Sequence, residues 1–392
     1  MHHGQLRPPP NKIAVLRANG LGDFMFSLPA LEALRATYHQ AEIVLLAHQW
    51  HQDLLARRPG PVHRVVVVPP GLLGGEAGGG GDDGPPEPFF AAMAAERFDL
   101  AVQLHGGGRH SNPFVRHLGA GLTVGLQTPD AAALDRWVPY VYYQNEILRL
   151  LEVVALVGAG VVGLEPRLAV LASDRKEAAR ALAPSERPLA VLHPGATDPR
   201  RRWPPERFAA VADRLMEAGA QVAVVGTEDE AELAGRIVSG SPGVIHDLAG
   251  QLSIAGLAGL LERSAVVVAD DSGPLHLAAA VGTATVGIYW CGNLINAGPM
   301  TRARHRPAIS WRLRCPECGL DCTRATCSHR ASFVADVSVD EVATSALELL
   351  TVATAGSGAA GVGDLVADPL HPAGAGGHID DQVVGRGGQA TP

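Results

Sequence analysis

The chain has 392 residues, a hydrophobic fraction of 47% and a formal net charge of −8 at pH 7. This length exceeds what one hydrophobic core usually serves, so two domains are expected. The negative charge argues against general nucleic-acid binding, and no stretch reaches the roughly 18 consecutive apolar residues of a membrane span. The first residues contain no hydrophobic signal core, so we expect a cytoplasmic protein.

Short apolar runs alternate with helical periodicity in the first half of the chain. Strands are predicted over residues 12–17, 42–47, 64–68, 99–104 and 122–126, and helices over 27–38 and 145–157. Such alternation is typical of a parallel sheet with helices on both faces.

The second half repeats this pattern. Strands are predicted over residues 189–193, 221–225, 265–269 and 283–288, and helices over 205–218, 229–238 and 274–281. We therefore predict an α/β protein of two Rossmann-like domains, residues 12–170 and 171–354, joined near residues 165–187. Residues 1–11 are expected to be flexible, residues 69–88 to form a Gly/Pro-rich loop, and residues 355–392 to be a disordered tail.

Two glycines and an aspartate follow the first predicted strand, in "RANGLGDFMFSLPALEAL". Gly20 and Gly22 begin like a dinucleotide fingerprint, but Met25 occupies the place of its third glycine. The second strand also ends without the acid that would hold a ribose. A nicotinamide or flavin cofactor is therefore disfavoured.

Two loops of the second half have the composition of phosphate sites. One follows the strand at 189–193 and carries Thr197 and the arginines at 200–202, which suit a diphosphate or, alternatively, a solvated basic turn. The other is "DDSGPLH", where Ser272 and Gly273 open a helix and His276 lies in its first turn. Asp271 is a candidate cap for that helix, and a purely structural role for His276 is the alternative.

Four segments in this order resemble the motifs of the family 9 glycosyltransferases, best known as ADP-heptose:lipopolysaccharide heptosyltransferases. They are "RANGLGDFMFSLPALEAL", "FDLAVQLHGGGRHSNPFV", "LHPGATDPRRRWPPERF" and "ADDSGPLHLAAAVGTATVGIY", and the resemblance covers roughly residues 12–350. It implies a GT-B fold, in which the first domain binds mainly the acceptor and the second mainly the nucleotide-sugar. It also implies inverting transfer without a metal ion.

The resemblance assigns roles to individual residues. The family's catalytic aspartate matches Asp23, a base that would take the proton of the attacking acceptor hydroxyl; a helix N-cap is its alternative role. The phosphate-binding basic residue aligns with Arg201, with Arg200 and Arg202 as alternatives, and the ribose contact with Glu230, with Glu228 as the alternative. The remaining donor-side matches are Thr197, Asp271, Ser272, Gly273 and His276.

The acceptor side of the cleft is expected to lie in the first domain. Glycines there would let a substrate approach the backbone, and polar side chains of the second motif would contact sugar or phosphate. The candidates are Gly20, Gly22, His105, Arg109 and Asn112, and a polar loop that merely closes the sheet is the alternative.

Four of the five cysteines lie together in "RCPECGLDCTRATCSH". Because cytoplasmic thiols stay reduced, a metal site is more plausible here than a disulfide ladder. Cys315, Cys318, Cys322 and Cys327 are the candidate ligands of a structural zinc, with His329 nearby, and free or redox-active thiols are the alternative.

The resemblance implies an enzyme that moves a sugar, in this family typically a heptose, from an ADP-sugar to a saccharide or glycolipid acceptor such as the lipopolysaccharide inner core. No cofactor is required for the transfer, and no nucleic acid is expected as a partner. A lipid-linked acceptor would bring the protein to the inner membrane face as a peripheral protein. The alternatives are another nucleotide-sugar or glycan acceptor, or a non-catalytic nucleotide-sugar-binding protein.

Overall fold

A computed structural model describes residues 4–73, 87–325 and 327–358. Most of the predicted Gly/Pro-rich loop and of the predicted tail lies outside these residues, as do the first three residues of the chain. The division between residues 170 and 171 stays a prediction.

The first domain is built on a parallel sheet of six strands in the order β3-β2-β1-β4-β5-β6. The strands are β1 Lys12–Leu16, β2 Glu42–Ala47, β3 Arg64–Val67, β4 Leu100–Gln103, β5 Leu122–Gln127 and β6 Arg136–Pro139. The helices are α1 Leu21–Thr37, α2 Gln49–Leu55, α3 Glu87–Ala95, α4 Ser111–His117 and α5 Glu146–Ala155.

The second domain repeats the architecture with the strand order β12-β11-β10-β7-β8-β9, again all parallel. The strands are β7 Leu189–His193, β8 Gln221–Val224, β9 Ile245–Asp247, β10 Val266–Asp270, β11 Ala284–Trp290 and β12 His305–Ser310. The helices are α6 Ala172–Ala181, α7 Pro205–Glu217, α8 Ala231–Gly240, α9 Ile254–Glu262, α10 Gly273–Ala280, α11 Cys291–Ala297 and α12 Val339–Gly358. The predicted α/β fold of two Rossmann-like domains is confirmed.

The central strands are almost wholly buried because helices cover both faces of each sheet, which explains their continuous apolar sequences. Strand order reverses between β1 and β4 in the first sheet and between β7 and β10 in the second. Ligands of open α/β sheets bind beside such reversal points, at the carboxyl ends of the strands. The four candidate motifs follow these four strands.

The first helix begins earlier than predicted, at Leu21 rather than at Ser27. Ser27 lies inside the helix, where its hydroxyl donates to the carbonyl of Phe24. Gly22 and Pro29 both have low helix propensity and obscured the true start in the sequence. The consequence is that Asp23 lies in the first helical turn instead of in a loop.

Helix α12 ends at Gly358, four residues into the tail that the sequence analysis predicts from about residue 355. Among the described residues, no helix combines the length and apolar character needed to cross a bilayer.

Candidate active site

A cleft of about 810 Å³ lies between the two domains. Its walls come from the loops after β1, β7, β8 and β10, together with residues of α5, α9 and α11. Of the residues singled out in the sequence, this cleft is lined by Gly20, Gly22, Asp23, Thr197, Arg201, Glu228, Glu230, Asp271, Ser272, Gly273 and His276. The tertiary structure therefore brings residues more than 250 positions apart into one cavity.

The amino ends of α1 and α10 meet across this cleft, at the point where the domains touch. A Cβ atom on Gly22 would lie 2.8 Å from Cδ2 of His276, and one on Gly273 would lie 2.9 Å from Cβ of Leu21. A larger residue at either position would force the facing side chain or helix to move. Neither helix has a side-chain hydrogen bond at its N-cap, so backbone amides of both first turns are available to an anion.

Asp23 lies in the first turn of α1, and its side chain is 49% exposed. The N-cap position belongs to Gly20, so the alternative role of Asp23 as a cap does not fit the geometry. Nη2 of Arg17 lies 3.6 Å from Oδ1 of Asp23, and Nε of the same guanidinium donates to the Asp23 carbonyl at 3.0 Å. A buried cation therefore orients an accessible carboxylate at the cleft.

A buried ion network supports Asp23, and the sequence analysis did not identify it. Arg17 is 1% exposed and lies 3.1 Å from Oε1 of Glu146. Glu146 also pairs with Arg149, whose guanidinium carbon lies 4.4 Å above the ring of Tyr140. All four side chains line the cleft. Arg17 belongs to the quoted first motif and directly follows β1. Its contacts with the carbonyl and carboxylate of Asp23 are visible only in the folded structure.

Of the three consecutive arginines, Arg201 is the one that lines the cleft. Its Nη1 lies 3.2 Å from Oδ2 of Asp271. Arg200 instead pairs with Asp198, and Arg202 donates to the carbonyl of Ala196 at 2.8 Å. Arg201 is thus the arginine whose geometry suits a diphosphate.

Asp271 contacts two residues that line the cleft, Arg201 and His276. Its carboxylate is 3% exposed, pairs with Arg201, and lies 3.0 Å from Nε2 of His276. The idea that Asp271 caps α10 was wrong, because Ser272 is the N-cap and the helix has no side-chain cap.

The neighbouring Asp270 has a different role. Its carboxylate is completely buried and accepts the backbone N–H of Trp203 at 3.0 Å. Burial raises the pKa of Asp270 well above its usual range, against the opposing effect of the Trp203 hydrogen bond. This contact ties the arginine-bearing loop to the end of β10.

Ser272, His193 and Glu230 form a chain along the donor wall. Oγ of Ser272 lies 3.0 Å from Nδ1 of His193, whose Nε2 lies 3.4 Å from Oε2 of Glu230. A Cβ on Gly195 would lie 1.8 Å from Oε1 of Glu230, so only glycine leaves room for this carboxylate. Glu228, the alternative ribose contact, is exposed at the same wall.

The pKa of Glu230 is lowered to about 2. Burial alone would raise this pKa, but the hydrogen bond and charge of His193, together with the amide and hydroxyl of Thr227, outweigh burial. The carboxylate is therefore ionised at neutral pH and serves as a hydrogen-bond acceptor.

We expect Glu230→Gln to destabilise the protein most at neutral pH. Because the folded-state pKa lies below its ordinary value of 4.5, the carboxylate stabilises the fold above pH 4.5 and loses this contribution as the pH falls toward 2. Urea unfolding of both proteins at pH 7, 4 and 3 measures the difference, which should shrink below pH 4.5. A difference that is the same at every pH would contradict the expectation.

The three polar acceptor-side candidates, His105, Arg109 and Asn112, are not among the residues that line the cleft. Nδ1 of His105 accepts the amide of Ala18 at 3.3 Å, and burial, reinforced by the charges of Arg17 and His48, lowers its pKa to about 4, so it is neutral at pH 7. Asn112 is fully buried and donates to main-chain carbonyls of its own domain, so it does not face the cleft. Arg109 is 73% exposed beside Asp130 and does not line the cleft either.

The cysteine motif lies outside the cleft, after β12. The ligand atoms of Cys315, Cys318, Cys327 and His329 all lie within 4.8 Å of one another. Cys322 is not part of this group, because its thiol points to the carbonyl of Leu320 at 3.5 Å. Among the described residues, the side chains with the spacing of metal ligands are therefore three cysteines and His329, whereas the sequence named four cysteines.

Comparisons with known proteins agree with this geometry. The chain matches glycosyltransferase family 9 (heptosyltransferase) over residues 88–311, more than half of its length, in a range that begins after the segment carrying Asp23. Lipopolysaccharide heptosyltransferase 2 of Escherichia coli (strain K12) is 25% identical over 299 residues, which cover 71% of this chain and 82% of that protein.

Solved structures share the fold. A family 9 glycosyl transferase from Veillonella parvula has a TM-score of 0.71 at 19% identity, covering 87% of this chain and 97% of the other. The ADP-heptose lps heptosyltransferase II of E. coli has a TM-score of 0.69 at 21% identity, covering 87% and 99%. The expected GT-B arrangement is confirmed, the protein is an enzyme of the glycosyltransferase class, and the chain belongs to glycosyltransferase family 9.

Proposed function

We propose that this enzyme transfers a heptose from an ADP-sugar to a saccharide acceptor of the lipopolysaccharide inner core, with inversion and without a metal ion. The observation that carries the proposal is that an accessible carboxylate and a diphosphate-type site share one cleft. Asp23 stands on one side, and Arg201 and the amide end of α10 stand on the other. The names of the relatives, which are heptosyltransferases, support heptose and lipopolysaccharide as the substrates.

Inverting transfer is one in-line displacement at the anomeric carbon. Asp23 takes the proton of the acceptor hydroxyl as its oxygen attacks, which avoids a charged nucleophile in the cleft. The bond to the nucleoside diphosphate breaks on the opposite side of the carbon. Asp23 can act there because Arg17 fixes its backbone while leaving the carboxylate half-exposed.

The leaving diphosphate needs positive charge and donors that are already in place. Without a metal ion, they come from Arg201, the Thr197 hydroxyl, His276 and the amides that begin at Gly273. Ser272, whose hydroxyl donates to the carbonyl of Asp270 at 2.9 Å, fixes the turn that carries these amides. Asp271 carries the same charge as the diphosphate, so its role is to orient Arg201 and His276 rather than to contact phosphate. Glu230 accepts the ribose hydroxyls.

The test is calorimetric titration of the chain as purified with ADP, UDP, GDP and dTDP, in buffer without added divalent cations. We expect ADP to bind and the other three to bind much more weakly, with affinity reduced in Ser272→Ala and His276→Ala. Binding should then be followed by transfer from ADP-heptose in the same buffer, without added divalent cations. If another nucleotide binds more tightly than ADP, the chain still belongs to family 9 but ADP-heptose is not its donor.

The rival function is a non-catalytic nucleotide-sugar-binding protein. It requires ADP-heptose to bind without turnover on any inner-core acceptor. The exposed carboxylate of Asp23 at the cleft favours the enzyme, because a protein that only binds a donor has no use for a base beside it.

We further propose that the enzyme works at the cytoplasmic face of the membrane as a peripheral protein, because its acceptor is lipid-linked. Exposed aromatic and aliphatic side chains in β6 and directly after it offer an apolar contact on the acceptor domain: Trp137, Val141, Tyr142 and Tyr143. Sedimentation with vesicles that contain the acceptor lipid checks this, and equal recovery with acceptor-free vesicles would contradict a role of the acceptor.

A further inference from the structure

A compact group of metal-ligating side chains lies outside the cleft. Sγ of Cys318 and Sγ of Cys327 are 3.5 Å apart, and Nδ1 of His329 lies 3.8 Å from Sγ of Cys315 and 3.0 Å from Sγ of Cys327. Thiolate ligands around tetrahedral zinc, each at about 2.3 Å, are about 3.8 Å from one another. The four side chains therefore already have nearly the spacing that one zinc ion requires.

The backbone around the first two cysteines is folded as a tight turn. The N–H of Cys315 donates to the carbonyl of Leu320 at 2.8 Å, and the N–H of Gly319 returns to the carbonyl of Cys315 at 3.0 Å. Gly319 has a φ of +72°, which favours glycine. The turn thus places the thiols of Cys315 and Cys318 near each other and near the ligand atoms of Cys327 and His329.

Apolar packing does little to hold this segment. Its buried cluster consists, among the described residues, of Cys315, Cys327 and Phe333. By contrast, Trp311 is 69% exposed and Leu313 is 49% exposed. A segment with so small a core needs another source of stability, and a metal ion bound by thiolates is a common one.

The same segment is fastened to the arginine loop of the donor site. The N–H of Phe333 donates to the carbonyl of Arg200 at 2.7 Å, and Oγ of Ser332 donates to the carbonyl of Arg202 at 2.6 Å. The two bonds therefore hold the backbone on both sides of Arg201. Ser332 and Phe333 follow His329 closely in the chain, so fixing His329 limits where they can lie.

We propose that Cys315, Cys318, Cys327 and His329 bind one zinc ion, and that this ion positions Arg201 at the diphosphate end of the cleft. The ion is structural, since four protein ligands leave no open coordination position for a substrate. Its effect on the donor site rests on the proposed function, whereas its binding does not.

The first test is the metal content of the purified full-length chain by mass spectrometry. We expect about one zinc per chain in the wild type and in Cys322→Ser, whose thiol lies in the same segment but outside the ligand group. Cys318→Ser should lose the metal. A wild-type chain without zinc, or with a different metal, would overturn the zinc site, as would equal loss in both variants.

The second test asks whether the ion acts through Arg201. We expect removal of zinc to weaken ADP binding by about tenfold, the typical value of a charge-assisted contact. In Arg201→Ala, which has already lost that contact, removal should weaken ADP binding little further, because the two changes disrupt one interaction. An unchanged ADP affinity after zinc removal, or an equal loss in Arg201→Ala, would overturn the positioning role.

The two proposals fail in different ways. If the wild-type chain holds zinc but binds no ADP, the proposed donor is wrong and the metal site stands. If it binds ADP and transfers heptose but contains no zinc, the proposed function stands and the further inference falls.

Discussion

Replacement of Asp23 by Asn is expected to lower kcat by about 10³-fold, the usual contribution of a positioned general base. Asn has nearly the same shape but cannot take the proton of the acceptor hydroxyl. The helix end and the Arg17 contact to the Asp23 carbonyl remain, so ADP affinity should be almost unchanged. The measurement is transfer from ADP-heptose under saturating substrates, together with an ADP titration.

The control for this variant is Asp53→Asn, a change of the same chemistry at an exposed carboxylate on α2. It should keep full turnover. If the wild type turns over and Asp23→Asn turns over equally fast, Asp23 is not the base. If Asp23→Asn loses ADP binding together with turnover, its role is in the donor site instead.

Replacement of Arg17 by Met is expected to destabilise the protein by about 3–5 kcal/mol, the usual cost of breaking a buried ion pair. The substitution leaves Glu146 with one buried cation instead of two and removes the donor to the Leu104 carbonyl. Activity should fall as well, since the backbone of Asp23 loses its support. A shift of the urea-unfolding midpoint to lower concentration measures the stability.

Arg109→Met is the matched control. Arg109 is 73% exposed and lies 3.8 Å from Asp130, so its loss should cost less than about 1 kcal/mol. Equal midpoint shifts in the two variants would contradict the structural role of Arg17. A large loss of acceptor affinity in Arg109→Met, without loss of stability, would instead support the acceptor-side role expected from the sequence.

The strands at the centre of each sheet could be predicted because the information is local. Runs such as "IAVL" and "VVVA" are apolar at every position, as strands covered on both faces must be. The three strands that the sequence analysis missed, β6, β9 and β12, all lie at sheet edges. Edge strands are partly open to water, so "RWVP", "IHD" and "HRPAIS" carry polar residues or proline and give no continuous apolar signal.

The candidate site, too, has residues that a local pattern identifies and contacts that only the fold shows. Asp23, Ser272 and His276 lie at or just after the end of a strand, and their motifs were enough to expect them at the cleft, which they line. The resemblance put Arg201 first among three adjacent arginines and kept Arg200 and Arg202 as alternatives. Only the structure shows which of the three side chains enters the cleft. Spacing in the sequence likewise could not show that the Cys322 thiol lies outside the group formed by the other three cysteines and His329.

The fold class, the presence of two domains and the loops at the cleft could be predicted from local patterns, because each depends on residues close together in the chain. Which atoms are in contact could not. Gly22 meets His276, Arg17 meets Glu146, and Gly195 leaves room for Glu230, through contacts between residues far apart in sequence. Such contacts depend on how the two sheets and their helices pack, and a local pattern of residues does not predict that packing.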